Sequence, residues 1–234
     1  MSVLLAELLG TMIIVLFGDA VVANVVLNKT KGQNSGWIVI TTAWAIGVAL
    51  AVYIFGPISG GHFNPAVTLA LASIGKFPWA DVPAYIIFQV AGGFIGAVVV
   101  WLHYLPHWNV TEDKDAKLAV FCTGPAIRDY KNNFLSEFIA TFILLFAILG
   151  LGTANMVQGF GPATVGILIF GLGLAFGGTT GYAMNPARDL GPRIAHFVLP
   201  ILGKRDSDWA YSWIPVLGPI CGGVAAALFF SLIF

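Results

Sequence analysis

The tripeptide Asn-Pro-Ala occurs twice, at Asn64-Pro65-Ala66 and at Asn185-Pro186-Ala187, each time within hydrophobic sequence. Asparagine is a favoured N-cap and proline is favoured at the first helical position, so each motif predicts the start of a helix. The side-chain oxygen of each asparagine can cap its own helix while the amide N–H groups act as donors. Two such helix starts inside a bilayer predict a polar transport site.

Arg188 directly follows the second motif. An arginine at membrane depth is costly unless it faces water or a partner, so a pore-lining donor is favoured over an arginine that reaches the membrane surface. A helix amino terminus carries about half an elementary positive charge. Two such ends facing each other disfavour cations, including protons carried on water, and admit neutral solutes.

The residues before each motif are expected to be extended, and their carbonyl groups then have only the pore contents as partners. These residues are Gly60, Gly61 and His62 in the first half, and Gly181, Tyr182 and Ala183 in the second. A role of the glycines in close packing alone would explain the glycines but not the duplicated context. The sequence therefore predicts a ladder of hydrogen-bond acceptors along one wall.

Two intramembrane carboxylates, Glu7 and Glu137, hold equivalent positions in the two halves. They could relay protons, but we favour a structural role in which each accepts hydrogen bonds from the backbone before a half-helix. Asp19 has no counterpart in the second half, and the sequence leaves its role open between a vestibule and the polar end of a helix.

Neither a metal nor a cofactor is predicted. The four histidines do not form a metal-binding set, and the chain has no phosphate-binding glycine loop and no nucleophile paired with a base. An enzyme is not expected. Cys122 and Cys221 are predicted to be free, because they fall at different membrane depths.

The composition indicates an integral membrane protein. Of the 234 residues, 58% are hydrophobic and only 9% are charged, and the formal net charge of zero gives no indication of a nucleic-acid partner. The first apolar segment follows no basic region and contains two acidic residues, so it is expected to be a mature span and not a signal peptide.

Six apolar segments are long enough to cross about 30 Å of hydrocarbon. They are Val3–Leu27, Gly36–Phe55, Val82–Leu102, Phe134–Gly152, Ala163–Gly177 and Ser212–Phe234. Two shorter apolar segments, Asn64–Ile74 and Asn185–Leu199, are interpreted as half-helices that enter the membrane without crossing it. The predicted fold class is therefore an all-α integral membrane protein with six transmembrane helices and two re-entrant half-helices, in one domain over residues 1–234.

The two halves repeat each other beyond the tripeptide, since Ala6–Thr11 resembles Ser136–Thr141. We place repeat one at about residues 1–102, a connecting loop at 103–133 and repeat two at 134–234. Each repeat has three spans, an odd number, so the second must enter the membrane from the opposite side. The half-helices of this inverted repeat are expected to meet head to head near the midplane.

The segments Ser59–Thr68 and Gly181–Arg193, which contain both motifs, resemble the major intrinsic protein (aquaporin) family, and the resemblance covers essentially the whole chain. It implies the fold just described, a passive channel, and a homotetramer with one pore per protomer.

The resemblance also implies a selectivity filter made by Arg188, Trp44, Gly173 and Tyr182. Water-selective members have histidine at the Gly173 position and a smaller residue at the Tyr182 position, whereas this set offers an apolar corner opposite hydrogen-bonding groups, which suits glycerol. Glycerol facilitators commonly have phenylalanine where this chain has Tyr182, so its hydroxyl is expected to narrow the slot or make it more polar. Asp189 is assigned a supporting role beside the filter. The alternative for both aromatics is a place in the interfacial belt.

The sequence thus favours an aquaglyceroporin that conducts glycerol, water and other small neutral solutes and excludes ions and protons. Alternatives are a water-selective channel, a channel mainly for dihydroxyacetone or undissociated lactic acid, and an ion-coupled secondary transporter, since inverted repeats also occur there. Urea is a further candidate solute.

The compact chain suggests a bacterial plasma membrane, and the family places both termini in the cytoplasm. The positive-inside rule predicts the opposite orientation, because Lys76 would be almost the only basic residue in an inside loop.

Overall fold

The computed structural model describes residues 1–234 and contains ten α-helices and no strands. In chain order they are α1 (Val3–Val26), α2 (Trp37–Ser59), α3 (Pro65–Ser73), α4 (Val82–His103), α5 (Leu105–Val110), α6 (Lys114–Ala119), α7 (Tyr130–Thr153), α8 (Gly161–Thr180), α9 (Pro186–Val198) and α10 (Ile214–Ile233). Six of them, α1, α2, α4, α7, α8 and α10, are long and apolar enough to cross a membrane. The predicted all-helical membrane fold with six spans is confirmed.

Several helix ends differ from the sequence prediction. The α2 helix continues to Ser59, and α7 begins at Tyr130, because the side chain of Asp129 caps it by accepting from the Asn132 N–H at 3.2 Å. The connection between the halves contains α5 and α6, which hydropathy does not indicate because they are short and partly polar. A search for apolar segments does not detect polar capping residues or polar first turns, so it misplaces the helix ends.

The packing of the helices repeats between the two halves. In repeat one α1 packs against α2 and α4, and in repeat two α7 packs against α8 and α10. Each half-helix packs against the last span of the opposite repeat: α3 against α10, and α9 against α4. The repeats are therefore interlocked and not merely adjacent.

Both half-helices begin at the asparagine of their motif. The Asn64 side-chain oxygen accepts from the Ala66 N–H at 2.8 Å, and the Asn185 oxygen accepts from the Ala187 and Arg188 N–H groups at 3.0 and 3.3 Å. Proline occupies the first helical turn in both, where its missing N–H costs nothing.

Paired glycines in the last span of each repeat bring backbones into contact. A Cβ atom on Gly92 would lie 2.1 Å from the Leu8 carbonyl oxygen, and one on Gly222 would lie 2.2 Å from the Phe138 carbonyl oxygen. Leu8 and Phe138 each follow one of the two intramembrane glutamates. These close helix crossings set the position of the two glutamates relative to the half-helices. Small residues commonly allow such close approach at membrane helix interfaces.

We therefore expect Gly92→Ala and Gly222→Ala each to destabilise the protein by about 1–3 kcal/mol through overpacking against backbone. Thermal unfolding in detergent micelles measures this as a lower midpoint. The matched control is Gly178→Ala on α8, where an added Cβ meets nothing within 4 Å. Equal midpoints for all three variants would contradict the assignment of these crossings.

Candidate functional site

A cavity of about 210 Å³ is lined by residues of both repeats. One part of its lining is polar and comes from the backbone before each half-helix, both motif asparagines and Arg188. The rest is apolar, with side chains from five helices: Ile14, Val48, Val52, Val67, Leu71, Leu144, Ile148, Val165 and Ile169. The cavity is thus amphipathic along its length.

The two half-helices meet through reciprocal hydrogen bonds at their amino termini. The Asn64 amide donates to the Met184 carbonyl at 2.8 Å, and the Asn185 amide donates to the Phe63 carbonyl at 2.8 Å. The motifs predict donors near the midplane, but they do not indicate that each asparagine binds the residue preceding the other. One N–H of each amide is used in this contact, and one remains for the lumen.

The segment before each half-helix reverses direction through left-handed backbone conformations. Phe63 and Met184, which immediately precede the two asparagines, have φ angles of 49° and 48°. Tyr182 has a φ of 38°. Such conformations cost about 1 kcal/mol or more for residues other than glycine, so surrounding contacts must stabilise them.

The carboxylates of Glu7 and Glu137 supply those contacts. Glu7 is fully buried and accepts from the backbone N–H groups of His62 and Phe63 at 3.1 and 2.7 Å. Glu137 is equally buried and accepts from the N–H groups of Ala183 and Met184, both at 2.9 Å. Each carboxylate thereby orders one reversed segment, with charge-assisted hydrogen bonds.

Further donors complete each carboxylate site. Ser59 and Thr180, each five residues before a motif asparagine, donate their hydroxyls to Glu7 and Glu137 at 2.6 Å. Gln89 donates to Glu7 at 2.7 Å and to the Thr68 hydroxyl at 3.0 Å. Alignment of the two repeats could have identified the hydroxyl pair. Gln89 has no such signal, since the equivalent residue in α10 is a proline.

With the N–H groups directed at the carboxylates, the carbonyl groups of these segments are left for the cavity. The carbonyls of residues 60–62 and 181–183 accept no hydrogen bond from the protein, and all six residues line the cavity. His62 itself is held away from the lumen: its Nδ1 lies 3.1 Å from the Thr68 hydroxyl, and its ring packs edge-on against Phe77.

Arg188 lies over an aromatic ring at one end of the cavity. The guanidinium carbon is 4.2 Å from the centre of the Trp44 ring, and both side chains are more than nine-tenths buried. Gly18 on α1 makes room for this ring, since a Cβ there would be 2.2 Å from it. The cation–π contact sets a donor beside an apolar face.

Tyr182 and Gly173 fit together, but not as the sequence suggests. A Cβ on Gly173 would lie 2.8 Å from Cζ of Tyr182 and 2.9 Å from its hydroxyl oxygen, so the space above Gly173 is filled by the tyrosine ring. Gly173 does not line the cavity. The Tyr182 hydroxyl is buried and is turned away from the lumen. We call Arg188, Trp44, Tyr182 and Gly173 the Arg188 cluster.

Asp189 joins the half-helix α9 to the surrounding loops. It forms a fully buried ion pair with Arg193, with Nε and Oδ1 2.7 Å apart, and accepts from the N–H and hydroxyl of Thr123 at 2.8 and 2.6 Å. Arg193 in turn donates to the Ser207 carbonyl at 2.7 Å. A supporting role for Asp189 is predicted from the sequence, but its contact with Thr123 is not.

The far end of α9 is closed by a lysine. Lys204 donates to the carbonyls of Phe197 and Leu199 at 2.9 and 2.8 Å, and also to that of His196. A cation at a helix carboxyl terminus is favourable. Burial lowers the pKa of this lysine from its ordinary value. This contact closes the end of α9 that lies away from the midplane.

Comparison with known proteins assigns the chain to a family. The Major intrinsic protein model matches residues 1–230. A protein of Thermotoga maritima named "Probable glycerol uptake facilitator protein" is 59% identical over 234 residues, which is all of both chains. "Glycerol uptake facilitator protein 3" of Lactiplantibacillus plantarum is 56% identical and covers 98% of this chain and 96% of its own.

A solved structure agrees with the sequence matches. The X-ray structure of the aquaglyceroporin from Plasmodium falciparum superposes with a TM-score of 0.87 at 28% identity, covering 98% of this chain and 95% of the other. The family model and these relatives extend over nearly the full length. The chain belongs to the major intrinsic protein family of membrane channels.

Proposed function

We propose that this protein is a passive channel for glycerol and other small neutral solutes, including water, that excludes ions and protons. The observation that carries the proposal is the two-sided lumen, in which unpaired backbone carbonyls and Arg188 face apolar side chains across the cavity. Dihydroxyacetone, urea and undissociated lactic acid share the small size and neutrality of glycerol and are further candidate solutes.

A polyol matches this lumen because its hydroxyl groups lie along a carbon backbone. The carbonyls of residues 60–62 and 181–183 accept from hydroxyl groups, while the Arg188 guanidinium donates to them, and together they replace water hydrogen bonds. The carbon atoms meet the Trp44 and Tyr182 rings. The inward-packed Tyr182 hydroxyl leaves an apolar ring face, which favours a polyol channel over a water-selective one.

Ion exclusion follows from the meeting of the half-helices. Two positive helix ends and the remaining N–H groups of Asn64 and Asn185 face the same point of the lumen, which disfavours cations. Glu7 and Glu137 take no part in ion exclusion or proton transport. Their oxygens are occupied by at least three donors each, which favours a channel over a transporter with a titrating carboxylate.

The assembly and location belong to the same proposal. We place four copies in a homotetramer, one pore in each, in a bacterial plasma membrane with both chain termini in the cytoplasm. The names of the bacterial relatives as glycerol uptake facilitators support the location and the solute. The distribution of basic residues predicts the opposite orientation. An experiment that locates the termini therefore tests the family topology directly.

The central prediction concerns flux through proteoliposomes. In stopped-flow light scattering, vesicles with the wild-type protein should reswell rapidly in glycerol with a rate that rises linearly with the gradient. Arg188→Ala should change the ratio of glycerol to water flux about tenfold, because it removes a hydrogen-bond donor that a bound hydroxyl uses.

The control is the same vesicle without protein. Fast water efflux without glycerol reswelling would favour the water-selective alternative. Saturable uptake driven by an ion gradient would favour the transporter.

A second prediction tests the fit of Tyr182 against Gly173. Gly173→Ala adds a Cβ within 3 Å of both Tyr182 and Thr41, so the ring must move toward the lumen. Glycerol flux should fall about tenfold, and water flux should fall less. Gly171→Ala, on the same helix with nothing within 4 Å of the added Cβ, is the matched control. Equal glycerol flux in the two variants would contradict the arrangement.

A third prediction tests orientation. An epitope tag at either terminus should react with antibody in intact bacterial spheroplasts only after the membrane is permeabilised, because both ends are assigned to the cytoplasm. A tag inserted after Lys204, which the same topology places outside, serves as the positive control. Reaction of the terminal tags in intact cells would reverse the topology and uphold the charge rule.

A further inference from the structure

Asp19 is a fully buried residue in the C-terminal half of α1 that no step of the proposed conduction requires. Its side chain is 0% exposed, and neither of its oxygens accepts a hydrogen bond from the protein. A carboxyl group buried without donors is strongly disfavoured in its ionised form unless a positive charge compensates it; otherwise it takes up a proton. The charged residues near Asp19 therefore determine its role.

The position of Asp19 places it behind the Arg188 cluster. The preceding residue, Gly18, lies against the Trp44 indole, on which the Arg188 guanidinium is stacked. Arg188 and Asp189 lie in the first turn of α9, and α9 packs against α1, the helix that contains Asp19.

Asp19 and Arg188 differ from their ionisable neighbours in that neither has a direct partner in the protein. Asp189 and Arg193 are both fully buried and neutralise each other in a direct ion pair of 2.7 Å. Arg188 makes no ion pair, and its Nη1 atom is buried and donates to no protein group. Arg188 and Asp19 are thus two ionisable side chains without a direct partner, and their charges are of opposite sign when both are ionised. They share no direct hydrogen bond, so their attraction acts through the low-dielectric interior.

Comparison of the two repeats supports the same assignment. The position equivalent to Arg188 in the first half-helix is Val67, and the position equivalent to Asp19 in α7 is Leu149. Val67 lines the cavity and Leu149 is buried, so both positions are apolar in the same structural places. The carboxylate occurs in the half of the site that contains the arginine and is missing from the half that lacks it.

We propose that Asp19 is the counter-charge of Arg188 and acts as a positioning residue that keeps the guanidinium against Trp44 and out of the path of solute. The inference rests on the proposed function, in which Arg188 is a donor in a polyol channel. Without the carboxylate, the guanidinium loses the attraction that holds its buried side, and it turns toward the hydrated lumen.

The test uses the isosteric variant Asp19→Asn in full-length protein reconstituted into vesicles. Glycerol flux should fall about threefold to tenfold while water flux falls less, since a displaced guanidinium obstructs the larger solute. Thr11→Val is the matched control: Thr11 is a fully buried polar residue of the same helix whose hydroxyl bonds only to the Glu7 carbonyl. It should leave the glycerol-to-water ratio unchanged.

A double-mutant cycle separates positioning from a general packing effect. If Asp19 acts through Arg188, the ratio of glycerol to water flux in Asp19→Asn/Arg188→Ala should equal that in Arg188→Ala alone. The same fold-loss from Asp19→Asn in both backgrounds would overturn the proposal. So would wild-type glycerol flux in Asp19→Asn. Absence of glycerol flux in the wild type would instead overturn the proposed function.

A spectroscopic measurement keeps the inference testable if Asp19→Asn does not fold. Infrared spectra of the wild type and Arg188→Gln should differ by the loss of an ionised carboxylate band and the gain of a protonated carboxyl band, because Asp19 loses its counter-charge. Bands from Glu7 and Glu137 are common to both proteins and cancel in the difference. Identical carboxyl regions in the two spectra would overturn the assignment.

Discussion

The structure depends on the requirement that backbone polar groups inside a bilayer find partners. Two stretches of chain at membrane depth are not helical, and their N–H groups are bound by Glu7 and Glu137. The carbonyls on the other side of the same peptide units are then unpaired and must face the cavity. A single buried carboxylate in each repeat therefore both stabilises the strained backbone and makes the hydrogen-bonding wall of the lumen.

The proposed selectivity filter consists of positions at which the two repeats differ. The positions equivalent to Trp44, Gly173, Tyr182 and Arg188 in the opposite half are Val165, Val52, Gly61 and Val67. All four of these equivalents line the cavity. Trp44, Tyr182 and Arg188 are larger than their equivalents, whereas Gly173 is smaller than Val52 and leaves space for the Tyr182 ring.

Much of this architecture could be predicted from the sequence. The motifs, the spans and the two glutamates follow from hydropathy, capping preferences and internal repetition, because those features are local or duplicated. The fit of the Tyr182 ring over Gly173, the Thr123 contact with Asp189 and the place of Gln89 could not be predicted. Each depends on side chains more than eight residues apart that meet only through tertiary packing and have no copy in the other repeat. The role of Asp19 could not be predicted for the same reason, because it depends on Trp44 and Arg188, which are distant in sequence.

The reciprocal bonds between Asn64 and Met184 and between Asn185 and Phe63 have a consequence for biogenesis. The first half-helix, α3, packs against α10, the last helix of the second repeat. While the chain is being synthesised, α3 has neither its carbonyl partner nor its neighbouring span. The contacts of the first half-helix are therefore incomplete until the second repeat, including α10, has been synthesised and inserted.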